Sequence, residues 1–328
     1  MARRIVVSLI VALAAASIHY AQQLATPGHP GDFGVAWFGA RALLDGRNPF
    51  ELIGPGLEYD WPWAPLYPAT AMVVAIPFSF LPQLSGTMLF VAVSAGLFTF
   101  AITIDGWKRL PVLVSYPFII SAAAAQWSPL LSAAFVLPPV AAILIAKPTI
   151  GGSIAAASDW KVQRWAIYGG IAILAVSFLL MPDWVSAWWR AVSNDLPEIP
   201  PPLFRGGGFV IGLTLLRWRR PEARLIFALS LVPQTSSWYE LVPLLLVAST
   251  LNESMILAIV TSLGWLAQDY LMSATNAYEF SYQVGVLMVV FGYIPATIMV
   301  LRRPNVGGTP KWMTLFRRPG LTRDSDSS

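Results

Sequence analysis

The chain has 328 residues, of which 56% are hydrophobic and only 12% charged, and its mean hydropathy is +0.62. A soluble chain carries roughly a quarter charged residues, so this composition excludes a soluble domain and points to a bilayer protein. The net charge of +4 comes from basic residues clustered at the ends of apolar blocks, which speaks for membrane orientation rather than nucleic-acid binding, and the lack of cysteine excludes disulfides and cysteine-ligated metals.

Long apolar blocks such as Ile5–Ala16, Thr87–Ile104 and Val284–Leu301 recur along the chain. In hydrocarbon only a helix or a closed barrel satisfies its own backbone, and the alternating pattern of barrel strands is absent. The expected fold class is therefore an all-α polytopic membrane protein. The hydropathy pattern predicts spans near 5–21, 66–82, 85–104, 112–126, 129–147, 165–181, 207–218, 224–236, 239–251, 254–271 and 282–301. The first of these, introduced by Ala2-Arg3-Arg4, also fits a secretory leader, although a chain with so many later helices needs no removable one. Residues 1–301 are read as one transmembrane domain and 302–328 as a basic cytoplasmic tail.

Basic residues favour the cytoplasmic side. Arg3 and Arg4, then Arg217, Arg219, Arg220 and Arg224, then the tail from Arg302 put both termini in the cytoplasm of a multi-pass protein of the cell membrane. Eleven spans do not fit termini on one side. Pro138-Pro139 falls inside 129–147, and consecutive prolines break a helix, so that stretch is expected to dip in and return. Lys108-Arg109 stays a local exception if 66–104 forms two spans.

Two polar stretches, 22–65 and 182–206, are too long for turns and are predicted to form outer loops, since long loops tend to be functional. In the first, Phe33, Trp37, Ala40 and Leu44 recur at helical spacing, which predicts an amphipathic helix along the membrane surface. Gly46-Arg47-Asn48-Pro49 ends it. The second holds Trp184, Trp188, Trp189 and Arg190, followed by Pro197–Pro202 and Arg205.

Gly31-Asp32-Phe33, the stretch from Ala40 to Phe50, the Pro- and Tyr-rich entry to the next helix and Phe78-Ser79-Phe80-Leu81-Pro82 form a recognisable series. Over residues 31–82 the chain resembles GT-C superfamily membrane glycosyltransferases, in particular the polyprenol-phosphate-mannose-dependent α-mannosyltransferases of the phosphatidylinositol-mannoside type. Ala125-Gln126 (Gly-Gln in the family), Lys147-Pro148 and Ser237-Trp238-Tyr239 follow in family order. The resemblance implies a GT-C-like helical bundle of about 10–12 spans with two outer loops carrying amphipathic helices. It further implies an inverting transfer of mannose or a related sugar from a polyprenyl-phosphate donor to a lipid or glycan acceptor, with membrane lipids as surroundings. No cofactor or metal is required, because the donor is a monophosphate.

The resemblance assigns the catalytic base to Asp32. A carboxylate within hydrogen-bond reach takes the acceptor proton; the alternative is a helix N-cap, which Asp also favours. Arg41 is a candidate for the lipid phosphate, or for an ion pair with Asp45 four residues on. Tyr59 and Asp60 are candidate substrate-binding residues of the first loop. Glu240 stands where the family often has a histidine, and an acidic residue at a membrane edge marks a candidate site. Arg190 and Arg205 either meet the donor phosphate or anchor the interface. His29 is close to Asp32 but more in keeping with a solvated loop position. Lys147 is expected on the cytoplasmic side, away from the site. A transporter or flippase, which would show broken helices with midplane charges, and a non-catalytic membrane subunit are the competing readings.

Overall fold

A computed structural model of the chain describes residues 1–28, 30–193, 200–235, 237–272, 274 and 276–306; the side chains of Asp269 and Ala277 fall outside that description. His29, part of the Pro197–Pro202 run and the tail from 307 therefore lie outside the described residues. Helices follow one another along the whole described chain, and its one sheet is a two-residue parallel pairing of Ile53–Gly54 with Tyr59–Asp60.

Among the described residues four helices are long and apolar enough to cross a membrane: Ala2–Ala25, Gln83–Ile102, Trp160–Leu180 and Tyr278–Leu301. Their exterior argues for lipid as much as their length does. Leu9, Ile10, Leu13 and Leu24 on the first, and Ile167, Tyr168, Ile171 and Leu179 on the third, are exposed on the outside of the protein. Continuous apolar faces of this size do not stay exposed to water on a monomer. Asp159 starts the third helix by accepting hydrogen bonds from the Lys161 and Val162 amides, a normal N-cap arrangement.

Several expected spans take a different form. The 112–126 stretch becomes a 3₁₀ turn, Leu110–Val114, followed by helix Tyr116–Ala123. The stretches at 207–218 and 239–251 become 3₁₀ helices Gly208–Arg217 and Trp238–Val247. Proline accounts for much of the fragmentation, because Pro111, Pro117, Pro129, Pro138, Pro148 and Pro221 each sit in the first turn of a new segment. Irregular backbone at membrane depth is tolerated where protein covers it, and Trp238–Val247 is buried almost throughout.

The two ends of the molecule differ in charge. Arg4 donates to the Phe100 carbonyl at 2.7 Å, so Ala2–Ala25 and Gln83–Ile102 run antiparallel, with the N-terminus beside residues 103–109. Arg109 in turn donates to the Ala248 carbonyl (2.7 Å), Arg303 pairs with Glu253 (2.5 Å), and Arg217 and Arg220 donate to the carbonyls of Arg303 and Pro304. The basic clusters thus gather at one end. Segment 66–82 is held at the other end. Near its start Trp188 donates to the Leu66 carbonyl (3.3 Å), and at its end Trp37 donates to the Leu81 carbonyl (3.2 Å) and Gln83 to the Tyr59 hydroxyl (2.8 Å). Both ends of helix Ala69–Ser79 therefore remain beside the long loops.

The two long loops share the opposite end. Val35, Leu43, Phe50 and Ile53 from the first pack with Trp184 and Ala187 from the second and with Ala69, Met72 and Met181. Helix Asp32–Leu44, however, is not a surface helix. Nine of its residues are buried and Arg41 and Leu44 are the exposed ones. The sequence DFGVAWFGARALL is apolar on nearly every face, which suits burial rather than an interface.

Candidate active site

Asp32 is held by an interlock of two chain reversals. Helix Tyr116–Ala123 ends in a Schellman motif, with the Gln126 amide bonded to the Ser121 carbonyl (2.8 Å) and the Ala125 amide to the Ala122 carbonyl (3.2 Å). Ala125 takes the left-handed conformation this ending requires, at φ +50°. The Ala124 carbonyl left at the tip accepts the Asp32 amide (3.0 Å). That approach is possible because Gly31 has no side chain: a Cβ there would lie 2.7 Å from the Ala124 oxygen, and its φ of +77° also favours glycine. Asp32 is thus brought next to Gln126.

Gly31, not Asp32, occupies the N-cap position, and the Asp32 carboxylate caps no helix amide. The capping alternative is overturned, and the carboxyl turns into the protein instead. Tyr67 donates to its Oδ2 at 3.4 Å. The Gln126 carboxamide lies close enough to favour the ionised form, yet both of its polar atoms are buried without a well-formed hydrogen bond. Burial pushes the Asp32 pKa above the ordinary aspartate value, and Gln126, the Lys147 charge and Tyr67 pull it part of the way back. Phe33, stacked on Phe90 at 3.8 Å and against Trp127 at 5.6 Å, fixes the helix behind it.

Lys147 is the main correction to the sequence reading. It was expected on the cytoplasmic side, but its Nζ lies 3.1 Å from Glu240 Oε1 and its charge reaches Asp32. The return at the double proline was expected, but helix Pro148–Ala157, absent from the expected spans, separates Lys147 from Lys161. Helix Ser128–Ala133 stops before Pro138-Pro139, a 3₁₀ segment runs over Pro138–Ala146, and the stretch returns to the end where it began. Proline at 148 then keeps Lys147 out of helical geometry, and its side chain reaches across to Glu240.

Glu240 is not a solvated interfacial residue. It is buried, accepts from Thr235 (3.2 Å) as well as Lys147, and its Oε2 has no partner. Lys147 also lies over the Tyr239 ring at 5.1 Å. Arg205 is buried rather than an interfacial anchor, donating to the Pro200 and Gln234 carbonyls at 2.8 Å each. Burial lowers its pKa, and the charge of Glu240 acts in the opposite direction. Tyr67, Gln126 and Lys147 were therefore missing from the expected site, although all three stood in motifs already visible in the sequence.

The remaining candidates lie elsewhere. Arg41 is exposed, its guanidinium over the Trp37 ring (5.4 Å) and donating to the Ser79 carbonyl (3.4 Å) rather than pairing with the Asp45 carboxylate. Arg190 is exposed and bonded to the Ser186 carbonyl of its own helix (3.3 Å). Tyr59 and Asp60 line a cavity of about 340 Å³ with His19, Gln83 and Thr87. Asp32 is not among the residues lining it. Among the described residues no three His, Asp or Glu side chains converge as a metal ion requires. No protein-family model, curated protein or solved structure matches the chain.

Proposed function

We propose that the chain is an inverting glycosyltransferase of the GT-C type, moving mannose or a related sugar from a polyprenyl phosphate to a lipid or glycan acceptor, with Asp32 as the base. The observation that carries this reading is the Asp32 carboxyl, turned inward, free of any capping duty and within reach of the Lys147 charge. The acceptor hydroxyl oxygen bonds to the anomeric carbon as the bond from that carbon to the phosphate oxygen breaks. Polyprenyl phosphate leaves, and the hydroxyl proton passes to Asp32. Lys147 is the cation that meets the departing phosphate, with Glu240 holding it in position; Tyr67 and Gln126 orient the carboxylate.

The multi-pass arrangement belongs to the same proposal. With 66–82 and 128–147 returning to the loop end, and 148–157 taken as a traverse, about ten segments run between the two ends. An even number keeps both termini together on the basic side, assigned to the cytoplasm, and leaves the loops and Asp32 outside.

Transfer from a polyprenyl-phosphate sugar by purified protein tests the reading. Asp32→Asn is expected to lower the rate by about 10²–10⁴-fold, the contribution of a positioned base, with the fold intact. Transfer at the wild-type rate by this variant overturns the assignment. One observation favours a transporter instead: Lys147 and Glu240 form a buried charge pair among proline-broken helices, the pattern found at transporter binding sites. Transfer by detergent-solubilised protein separates the two, since transport needs a sealed membrane and transfer does not.

A further inference from the structure

The 340 Å³ cavity does not have Asp32 in its lining and lies on the Gly34 side of the same helix. His19 and Gln23 come from the end of helix Ala2–Ala25, Gln83, Leu84 and Thr87 from the start of helix Gln83–Ile102, and Glu58, Tyr59 and Asp60 from the first long loop. It therefore sits at the loop end of two membrane-length helices.

Two buried polar atoms on its lining residues have no partner. His19 bonds through Nδ1 to the Ala123 carbonyl at 2.9 Å, which leaves Nε2 unsatisfied, and the Thr87 hydroxyl is equally alone; both residues are fully buried. An unsatisfied buried polar group is costly, so two on the lining residues of one cavity point to a polar ligand. Gln83 and Tyr59, bonded to each other at 2.8 Å, add an amide and a phenol. The Tyr59 ring stacks on Phe38 at 4.7 Å and is held rigid.

Charge selects the class of ligand. Among the described residues neither lysine nor arginine lines the cavity, while two carboxylates do, so an anion is disfavoured. Those carboxylates are already engaged: Glu58 pairs with Arg47 through both oxygens, and Asp60 accepts the Gly56 amide at 2.9 Å. A cation therefore gains little. The remaining donors and acceptors are neutral, and the volume lies at the small end for ligand sites of about 300–1,000 Å³.

We propose that this cavity, lined by His19, Tyr59, Gln83 and Thr87, binds a neutral, hydroxyl-rich carbohydrate group, either free or as the headgroup of a lipid. Binding stands independently of the transferase reading; only its use as the acceptor site depends on that reading.

Titration calorimetry on the full chain in a sugar-free detergent tests it, with methyl α-mannoside, octyl α-mannoside and inorganic phosphate as probes. Saturable binding of a mannoside without phosphate binding is expected. Tighter binding of the octyl compound points to a lipid headgroup, and equal affinity to a free glycan. Thr87→Val removes a hydroxyl that bonds to nothing in the structure, so its thermal midpoint stays at or above wild type while mannoside affinity falls about five- to tenfold, the worth of one lost hydrogen bond. Gln83→Leu gives a second, independent loss. Absence of mannoside binding, phosphate binding in its place, or unchanged affinity in both variants overturns the inference, and leaves the Asp32 transfer assay to decide the other proposal.

Discussion

At the scale of single residues, one backbone motif occurs twice with different solutions. Helix Asp32–Leu44 ends in the same Schellman pattern as helix Tyr116–Ala123, with the Arg47 amide on the Ala42 carbonyl (2.8 Å) and the Gly46 amide on the Leu43 carbonyl (3.1 Å). Glycine fills the left-handed position there, at φ +67°, whereas Ala125 fills it beside the candidate site. A Cβ in that conformation costs about 1–2 kcal/mol, against a smaller entropic cost for glycine. Ala125→Gly is thus expected to raise the thermal midpoint, and Gly46→Ala to lower it by a comparable amount; melting the two variants side by side in detergent checks both signs. Asp32 gives a second prediction. Its pKa is raised mainly by burial and pulled down partly by Lys147, so a base at this position loses its proton only above the ordinary aspartate value of about 3.9. The acid limb of the transfer rate should lie above that value, and Lys147→Met should move it higher still. The folded carboxyl holds its proton more tightly than the unfolded one, so Asp32 itself lowers stability as pH rises through that interval. Asp32→Asn should accordingly melt no lower than wild type near neutral pH, and a clear drop in midpoint would contradict the burial argument.

Among elements, the candidate site depends on contacts that no single segment contains. The Asp32 helix and the breaking power of Pro138-Pro139 were legible, because glycine, proline and apolar spacing act locally. The site's cationic partner was not. Lys147 was assigned by counting crossings back from the basic tail, a count that left out helix Pro148–Ala157; hydropathy does not separate burial in protein from burial in lipid. For the same reason the Asp32 helix was expected at the surface although apolar residues encircle it. Gln126 was visible as half of a motif, but its place beside Asp32 is set by the bond from the Asp32 amide to the Ala124 carbonyl, a contact distant in sequence. This junction is itself open to test. At Gly31 a Cβ would meet backbone atoms of Ala124 at 2.7 and 2.9 Å and adopt a left-handed φ. Gly31→Ala should destabilise by about 2 kcal/mol from the conformational cost and the forced separation together. It should also lower transfer more than its stability loss explains, because Asp32 moves with the junction; a variant with wild-type stability and rate would show that the two reversals do not position the carboxyl.

For the molecule as a whole, the basic and loop-bearing ends bear on the span count that the proposed arrangement requires. Lys108 and Arg109 break the charge rule only if 66–104 crosses twice, and the bonds at Leu66, Leu81 and Gln83 keep the first part of that stretch beside the loops. The N-terminus, residues 103–109, the Arg217–Arg224 turn and Arg303 share one end, which the proposed arrangement puts in the cytoplasm. The chain has no cysteine, so single cysteines report position without background. Lys108→Cys, whose side chain is partly exposed and leaves Arg109 to hold Asp105 at 2.8 Å, should resist a membrane-impermeant maleimide in intact cells and react once the cells are permeabilised. Asp45→Cys, at the exposed end of the first loop helix, should react in intact cells. The pair distinguishes the alternatives that a single site leaves confused. Reaction of both from outside restores two crossings in 66–104 and removes the even count, whereas reaction of Lys108→Cys alone inverts the whole molecule and moves Asp32 to the cytoplasmic face.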